Sequence, residues 1–251
     1  MFRENHDESF IDLLELNEEA LEKEGRILVD DILSEVAKKF DGEFESSKKL
    51  EYHNSEHSRD VVERMEKILT VLEKTGYITK KDKMLGIICA AGHDLVQGIG
   101  SEINEEKSVE EVFGFMDKSG IFDDEDKEKV KEAILATVAK METNENGPII
   151  SQINLTEESS LLARALALAD IGTAGVNTEK FLEEGDKLRK EFNIPLAKKK
   201  DWDKSQAGIA INIAKEFENK LNGFPEDARG EIKKQYQFFD DSIKAAQRRA
   251  S

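Results

Sequence analysis

Only three prolines interrupt the 251 residues, at positions 148, 195 and 225, and that scarcity constrains the fold more than any other feature of the chain. Proline removes a backbone donor and clashes with the preceding helical turn, so long proline-free stretches leave helices free to run. Within those stretches charged residues interleave with apolar ones at three- and four-residue spacing. The period-2 alternation of β-branched residues that marks strands is scarce. The expectation is an all-α protein.

Taken in order, residues from about 8 to 24 and from about 26 to 39 read as two amphipathic helices that cover the core, the second with Ile27, Leu28, Ile32, Leu33 and Val36 on one side. His6, in the polar start of this region, reads as a solvated tail histidine. A helix carrying Val61, Met65, Ile68 and Leu72 at steps of four, three and four follows the segment from Glu51 to Asp60. Gly76 is expected to end it, and Thr79 with Asp82 to cap the next, which runs from about Lys80 to Asp94. That helix is apolar on nearly all sides from Met84 to Ala91, the mark of a buried central element. Further helices are expected from Asn104 to about Met116 and from Asp124 to about Met141. After a loop marked by Gly147-Pro148, a helix capped by Thr156 runs through a second all-apolar stretch, Leu161 to Ala169. The remainder reads as helices from Thr178 to Phe192, Lys204 to Leu221 and Pro225 to Arg248, with Lys198-Lys199-Lys200 as a solvated loop. A single domain of residues 1–251 is predicted: covering helices over 1–45, a core over 52–175 and C-terminal helices over 176–251.

Lysine and arginine number 37 against 54 acidic residues, a formal charge of -17. Such a surface repels phosphate backbones and argues against binding a nucleic acid duplex. A small phosphorylated ligand is compatible with it, because a bound cation reverses the local sign of the field. The one cysteine, Cys89, lies in the apolar run Ile87-Ile88-Cys89-Ala90-Ala91 and can form no internal disulfide. No stretch approaches the ~20 apolar residues that span a bilayer, and the first 25 residues carry charge throughout. A cytoplasmic protein without membrane association is expected; nothing in the sequence specifies an oligomeric state.

Chemistry concentrates in three separated segments. His53 and His57 stand four apart, a spacing that puts both on one face of a helix. His93-Asp94 ends the first all-apolar helix and Asp170 ends the second. A buried carboxylate without a partner is costly, so two of them at the ends of buried helices call for a cation. His57, His93, Asp94 and Asp170 form a mixed nitrogen and oxygen donor set that suits Mn, Mg, Zn or Fe. A divalent ion held there lowers the pKa of a coordinated water and offsets charge on a phosphoryl transition state. His53, one turn before His57, is placed to protonate a leaving oxygen.

The order H, then HD, then D resembles the HD-domain metal-dependent phosphohydrolases. Tyr52-His53-Asn54-Ser55-Glu56-His57-Ser58-Arg59-Asp60-Val61 is similar to the Y-H-N-x-x-H-x-x-D-V signature of class I cyclic-nucleotide phosphodiesterases. The resemblance spans about Tyr52 to Gly175. It implies an HD-domain helical bundle with a buried metal site of one or two ions, Asp94 as the residue that bridges two, His53 as general acid and His57 as ligand. It also implies hydrolysis of a phosphate ester, with a nucleotide as the expected substrate class. The chain departs from that pattern at Gln97, where the phosphodiesterases usually carry a further histidine. Tyr52, Asn54, Gln97 and Gln206 are the residues expected to reach the substrate, with Trp202, Phe238 and Phe239 as further aromatic candidates. The run Asn104-Glu105-Glu106-Lys107-Ser108 is similar to an N-E-E-x-S sequence in a group of predicted bacterial HD phosphohydrolases. The sequence therefore points to a metal-dependent phosphodiesterase acting on a cyclic nucleotide or related small diester. A phosphomonoesterase or nucleotidase is the enzymatic alternative, and a degenerate HD module sensing metal or nucleotide is the non-enzymatic one.

Overall fold

A computed structural model describes residues 8–43, 48–144 and 147–251, with side chains from residue 18 onward except at 101, 143, 144, 147 and 148. His6 lies outside the described residues. The chain is mostly helical, at 73%, and no described helix is long and apolar enough to cross a membrane.

The first helix, α1 (Glu8–Phe40), runs without a break where two helices are expected from the sequence. Gly25 lies inside it, and a Cβ there would meet Met84 Cγ at 2.4 Å, so the residue permits close approach of helices and interrupts nothing. Next come α2 (Ser55–Lys74) and α3 (Lys80–Gly92). Gly76 terminates α2 in the left-handed region at φ 78°, with the Tyr77 amide donating to the Leu72 carbonyl. Thr79 and Asp82 form the reciprocal capping box that opens α3. Every residue of α3 from Met84 to Gly92 is buried, and the helix packs against α1, α2, α4 (Ser101–Ser119), α5 (Asp124–Leu135) and α6 (Leu161–Ile171). In α6, Leu162 to Ala169 are likewise all buried.

The structure departs from the sequence reading in three further places, each with a local cause, and then at the lysine cluster. First, α5 ends at Leu135 and not near Met141. β-Branched Thr137 and Val138 follow, the Thr137 hydroxyl bonds back to the Ile134 carbonyl, and the chain enters an antiparallel hairpin of β1 (Ala139–Asn144) and β2 (Gly147–Gln152) in which Met141 pairs with Ile150. Second, α6 is capped by Ser160 and not Thr156. Buried Arg164 donates to the Ser159, Thr156 and Glu157 carbonyls and holds the preceding residues as a turn. Third, the last expected helix is two, α10 (Glu226–Lys234) and α11 (Phe239–Ala250). The break lets Tyr236 bury against Gly172, where a Cβ would lie 2.5 Å from both the Leu168 carbonyl oxygen and the Tyr236 ring. Between these elements lie the short α7 (Thr173–Val176), α8 (Thr178–Glu191) and α9 (Lys199–Leu221). Lys199 opens α9 and pairs with Asp203 at 2.7 Å, so the lysine cluster begins a helix and is not a free loop.

Candidate functional site

Asn54 is the N-cap of α2; its side-chain oxygen accepts from the Glu56 and His57 amides at 3.0 and 3.4 Å. The cap fixes the start of the helix and thereby the direction of His57, which points inward, 3% exposed. His93 is the C-cap of α3 and Asp94 follows it, while Asp170 lies in the last turn of α6. Helix packing brings these three helix ends together. His57 Nε2 lies 3.5 Å from Asp94 Oδ2 and 3.4 Å from Asp170 Oδ1; His93 Nε2 lies 3.3 and 3.5 Å from the same two oxygens.

These separations fit a shared ion. Bonds of about 2.0–2.2 Å to a tetrahedral ion put neighbouring ligand atoms roughly 3.3–3.6 Å apart. Both imidazole Nε2 atoms are buried without a hydrogen-bond partner, which water-excluded polar atoms seldom are. His57, His93 and Asp94 form a buried group that could hold a metal ion, and Asp170 faces both histidines. Outer contacts hold these side chains in place. His93 Nδ1 donates to the Ala90 carbonyl at 2.9 Å, which leaves the Nε2 lone pair facing the cluster. Asp94 Oδ1 accepts from Gln97 Nε2 at 2.7 Å. Buried Arg64 of α2 donates to the Ala169 and Asp170 carbonyls at 2.6 and 3.4 Å, fixing the end of α6 that carries Asp170.

Burial by itself would lower the His93 value, but Asp94 and Asp170 outweigh it and hold the imidazole well above its ordinary value. Burial pushes the other way on Asp94, and His93 overcomes it to bring the carboxyl down to about 2. Without a cation the proton held on His93 offsets the charge of Asp94 and Asp170, so an ion entering the cluster competes with that proton.

His53 stands apart from this cluster. Its Nδ1 is hydrogen-bonded to Glu191 Oε1 of α8, and Glu191 Oε2 accepts from the Tyr52 and His53 amides at 2.8 and 3.1 Å. Burial opposes the charged form of His53, yet the bond to Glu191 raises its value above 6.5. The Tyr52 ring lies between the two histidines, 4.4 Å from His57 and 4.7 Å from His53 between centroids.

A cavity of about 320 Å³ opens onto the cluster. Tyr52, His53, Asp94, Gln97, Glu105 and Asp170 form its polar end; Met141, Ile150, Ile171, Leu188 and Phe192 form its apolar end. Asn54, occupied as a cap, does not line it. Gln206 lines an adjoining apolar recess that shares Tyr52, Met141, Ile150 and Leu188. It is 3% exposed, its Oε1 and Nε2 are without partners, and it fills the space that a side chain at Gly185 would take. Trp202, which donates to the Gly185 carbonyl at 2.9 Å, lines the same recess. Phe238 and Phe239 line neither space. Burial, reinforced by Asp94 and Asp170, pushes the Glu105 carboxyl up to about 7.

Sequence reasoning missed Glu191, Glu105, Arg64 and the hairpin residues Met141 and Ile150. Glu191 lies 138 residues from His53 on the polar side of a helix, where no local signal separates it from the other acids. Glu105 was marked by the N-E-E-x-S run without a role. No protein-family model matches the chain, and no curated protein matches it.

Proposed function

We propose that this protein is a metal-dependent phosphohydrolase of the HD type that cleaves a cyclic nucleotide or a related small phosphodiester. The observation that carries this reading is that His57 Nε2 and His93 Nε2 each lie 3.3–3.5 Å from both Asp94 Oδ2 and Asp170 Oδ1, beside the cavity that His53 also lines. A divalent ion bound by the four lowers the pKa of a water and offsets the phosphoryl charge.

The chain's own residues account for the remaining steps. His53 holds a proton on Nε2, with Nδ1 engaged by Glu191, and faces the cavity from the side of the four-residue cluster. As water oxygen bonds to phosphorus and the ester P–O bond breaks, the His53 proton passes to the leaving oxygen; the proton shed by the water returns to His53 through solvent. The apolar end of the cavity and the recess ending on Gln206 accommodate a ring, and the free donor and acceptor of Gln206 match the edge of a heterocycle.

The test is hydrolysis of cyclic and linear nucleotides with Mn, Mg, Zn and Fe added separately, alongside a diester with a phenolate leaving group. Phenolate departs without protonation, so His53→Ala should retain much of its activity on the activated diester and lose about 10²- to 10⁴-fold on a ribose ester. Equal losses on both substrates, or loss of bound metal, would remove His53 from the acid role. No hydrolysis of any phosphate ester by the wild type with any of the four metals would overturn the reading.

A further inference from the structure

A hydrogen-bond chain lines the wall of the cavity beside Asp94. Asp94 Oδ1 accepts from Gln97 Nε2 at 2.7 Å, Gln97 Oε1 accepts from Asn104 Nδ2 at 3.2 Å, and Asn104 Oδ1 accepts from the Ile99 amide at 3.0 Å. Thr137, on the same cavity, donates its hydroxyl to the Ile134 carbonyl at 2.7 Å. Glu105, next to Asn104 in the first turns of α4, is only 7% exposed and has a buried Oε2 with no partner. Among the described residues no lysine or arginine lines this cavity. An unpaired buried carboxyl is among the costlier groups a fold can retain, so a ligand that completes its hydrogen bonding would be held strongly.

Three chemistries could meet that oxygen. Above about pH 7, where the Glu105 carboxyl is ionised, it repels a phosphate oxygen. A second cation shared with Asp94 would sit against the Gln97 N–H, whose direction Asn104 fixes from the far side. What remains is an O–H or N–H donor close to the scissile phosphate. In a nucleotide the donors nearest the phosphate are the ribose hydroxyls, which carboxylates recognise as acceptors in other nucleotide sites.

We infer that Glu105 accepts a hydrogen bond from a ribose hydroxyl of the substrate and so selects ribonucleotides over deoxyribonucleotides. The inference rests on the phosphohydrolase reading and adds a specificity residue to it. Hydrogen bonds to charged acceptors are strong enough that losing this one changes kcat/KM by roughly 10- to 100-fold.

The experiment compares adenosine 3′,5′-cyclic monophosphate with its 2′-deoxy analogue on the wild type, Glu105→Gln and Glu105→Leu, as the ratio of kcat/KM values within each protein. Kd values for both compounds, measured by calorimetry on chelator-treated protein, give the same ratio without turnover, and metal content is measured in parallel. The expected result is a ratio of about 10 to 100 in the wild type, near one in Glu105→Leu and intermediate in Glu105→Gln. A ratio near one in the wild type, or one unchanged in a variant whose circular dichroism is native, overturns the inference. Loss of a bound ion from either folded variant also overturns it, because Glu105 would then be a ligand. Wild-type hydrolysis of bis(p-nitrophenyl) phosphate, which has no hydroxyl, separates failure of the phosphohydrolase reading from failure of this one.

Discussion

Burial by itself would strip the proton from His53 near neutral pH, because a charged imidazole loses solvation in the cavity wall. Glu191 reverses the balance and raises the histidine above 6.5. A general acid must carry its proton at the working pH, so the active fraction falls as pH rises through the His53 value. Glu191→Gln keeps the shape of the contact and removes the charge, so the value drops and the alkaline limb of the pH profile moves to lower pH. Activity of the variant should therefore fall below that of the wild type on the alkaline side of the profile. Full pH profiles of kcat/KM for both proteins measure this, and superimposable alkaline limbs would detach Glu191 from the acid function. His93 titrates in the opposite sense with respect to metal. Its proton must leave before an ion binds, so apparent metal affinity should fall as pH falls through its raised value.

At the scale of elements, the β1–β2 hairpin determines the shape of the cavity. Ala139, Met141 and Ile150 alternate onto the cavity face by strand periodicity and cross-strand pairing. The hairpin is tied down by Gln152, which donates to the Ala167 carbonyl at 2.9 Å and accepts from buried Lys220 of α9. Ala167 is three residues before Asp170, so this anchor also supports the end of α6. Gln152→Leu leaves a buried lysine and a carbonyl without partners and should cost about 2–4 kcal/mol. Adding Lys220→Met removes the stranded amine, so the double variant should recover part of the loss in urea denaturation. Equal stability of Gln152→Leu and wild type would show that the hairpin is held by other contacts. Burial lowers Lys220 from 10.5 to about 8. The unfolded chain therefore binds more protons between those values, and this lysine's contribution to stability grows as pH rises through that window.

Across the whole molecule, the buried group His57, His93 and Asp94 that could hold an ion joins α2 to the end of α3, and Asp170 of α6 faces both histidines, so an ion bound there would be a cross-link that only the folded state can form. At a free concentration 100 times Kd a ligand of this kind adds about 2.7 kcal/mol. For a chain of this size that raises Tm by roughly 5–10 °C. Asp94→Ala should abolish both the bound ion and this rise while leaving helical content near wild type, because α3 and α6 keep their apolar partners. Thermal melts with excess divalent ion and with chelator test it; a variant that still gains the full increment would show that Asp94 is not a ligand. The charge of -17 acts at the same scale. It opposes the approach of an anionic substrate over distances up to about 10 Å, so association should quicken as salt rises.

The sequence by itself determined the helical class, the two buried helices and the residues at their ends. All-apolar runs of Met84–Ala91 and Leu161–Ala169 have few other places to go, and His93, Asp94 and Asp170 are set by position relative to those runs. The cap at Thr79 was legible for the same local reason, since a capping box is written within four residues. Tertiary structure decided whatever depends on partners far along the chain. Gly25 looks like a helix breaker until Met84 is placed against it. Thr156 reads as a cap until Arg164 claims its carbonyl, and the hairpin's short strands become worthwhile only when their apolar face meets the cavity. Glu191 and Glu105 are ordinary acids on amphipathic helices in the sequence. Packing makes one the partner of His53 and leaves the other buried without one, because a side chain's ionisation and hydrogen bonding follow from the groups around it in space and not from its neighbours in the chain.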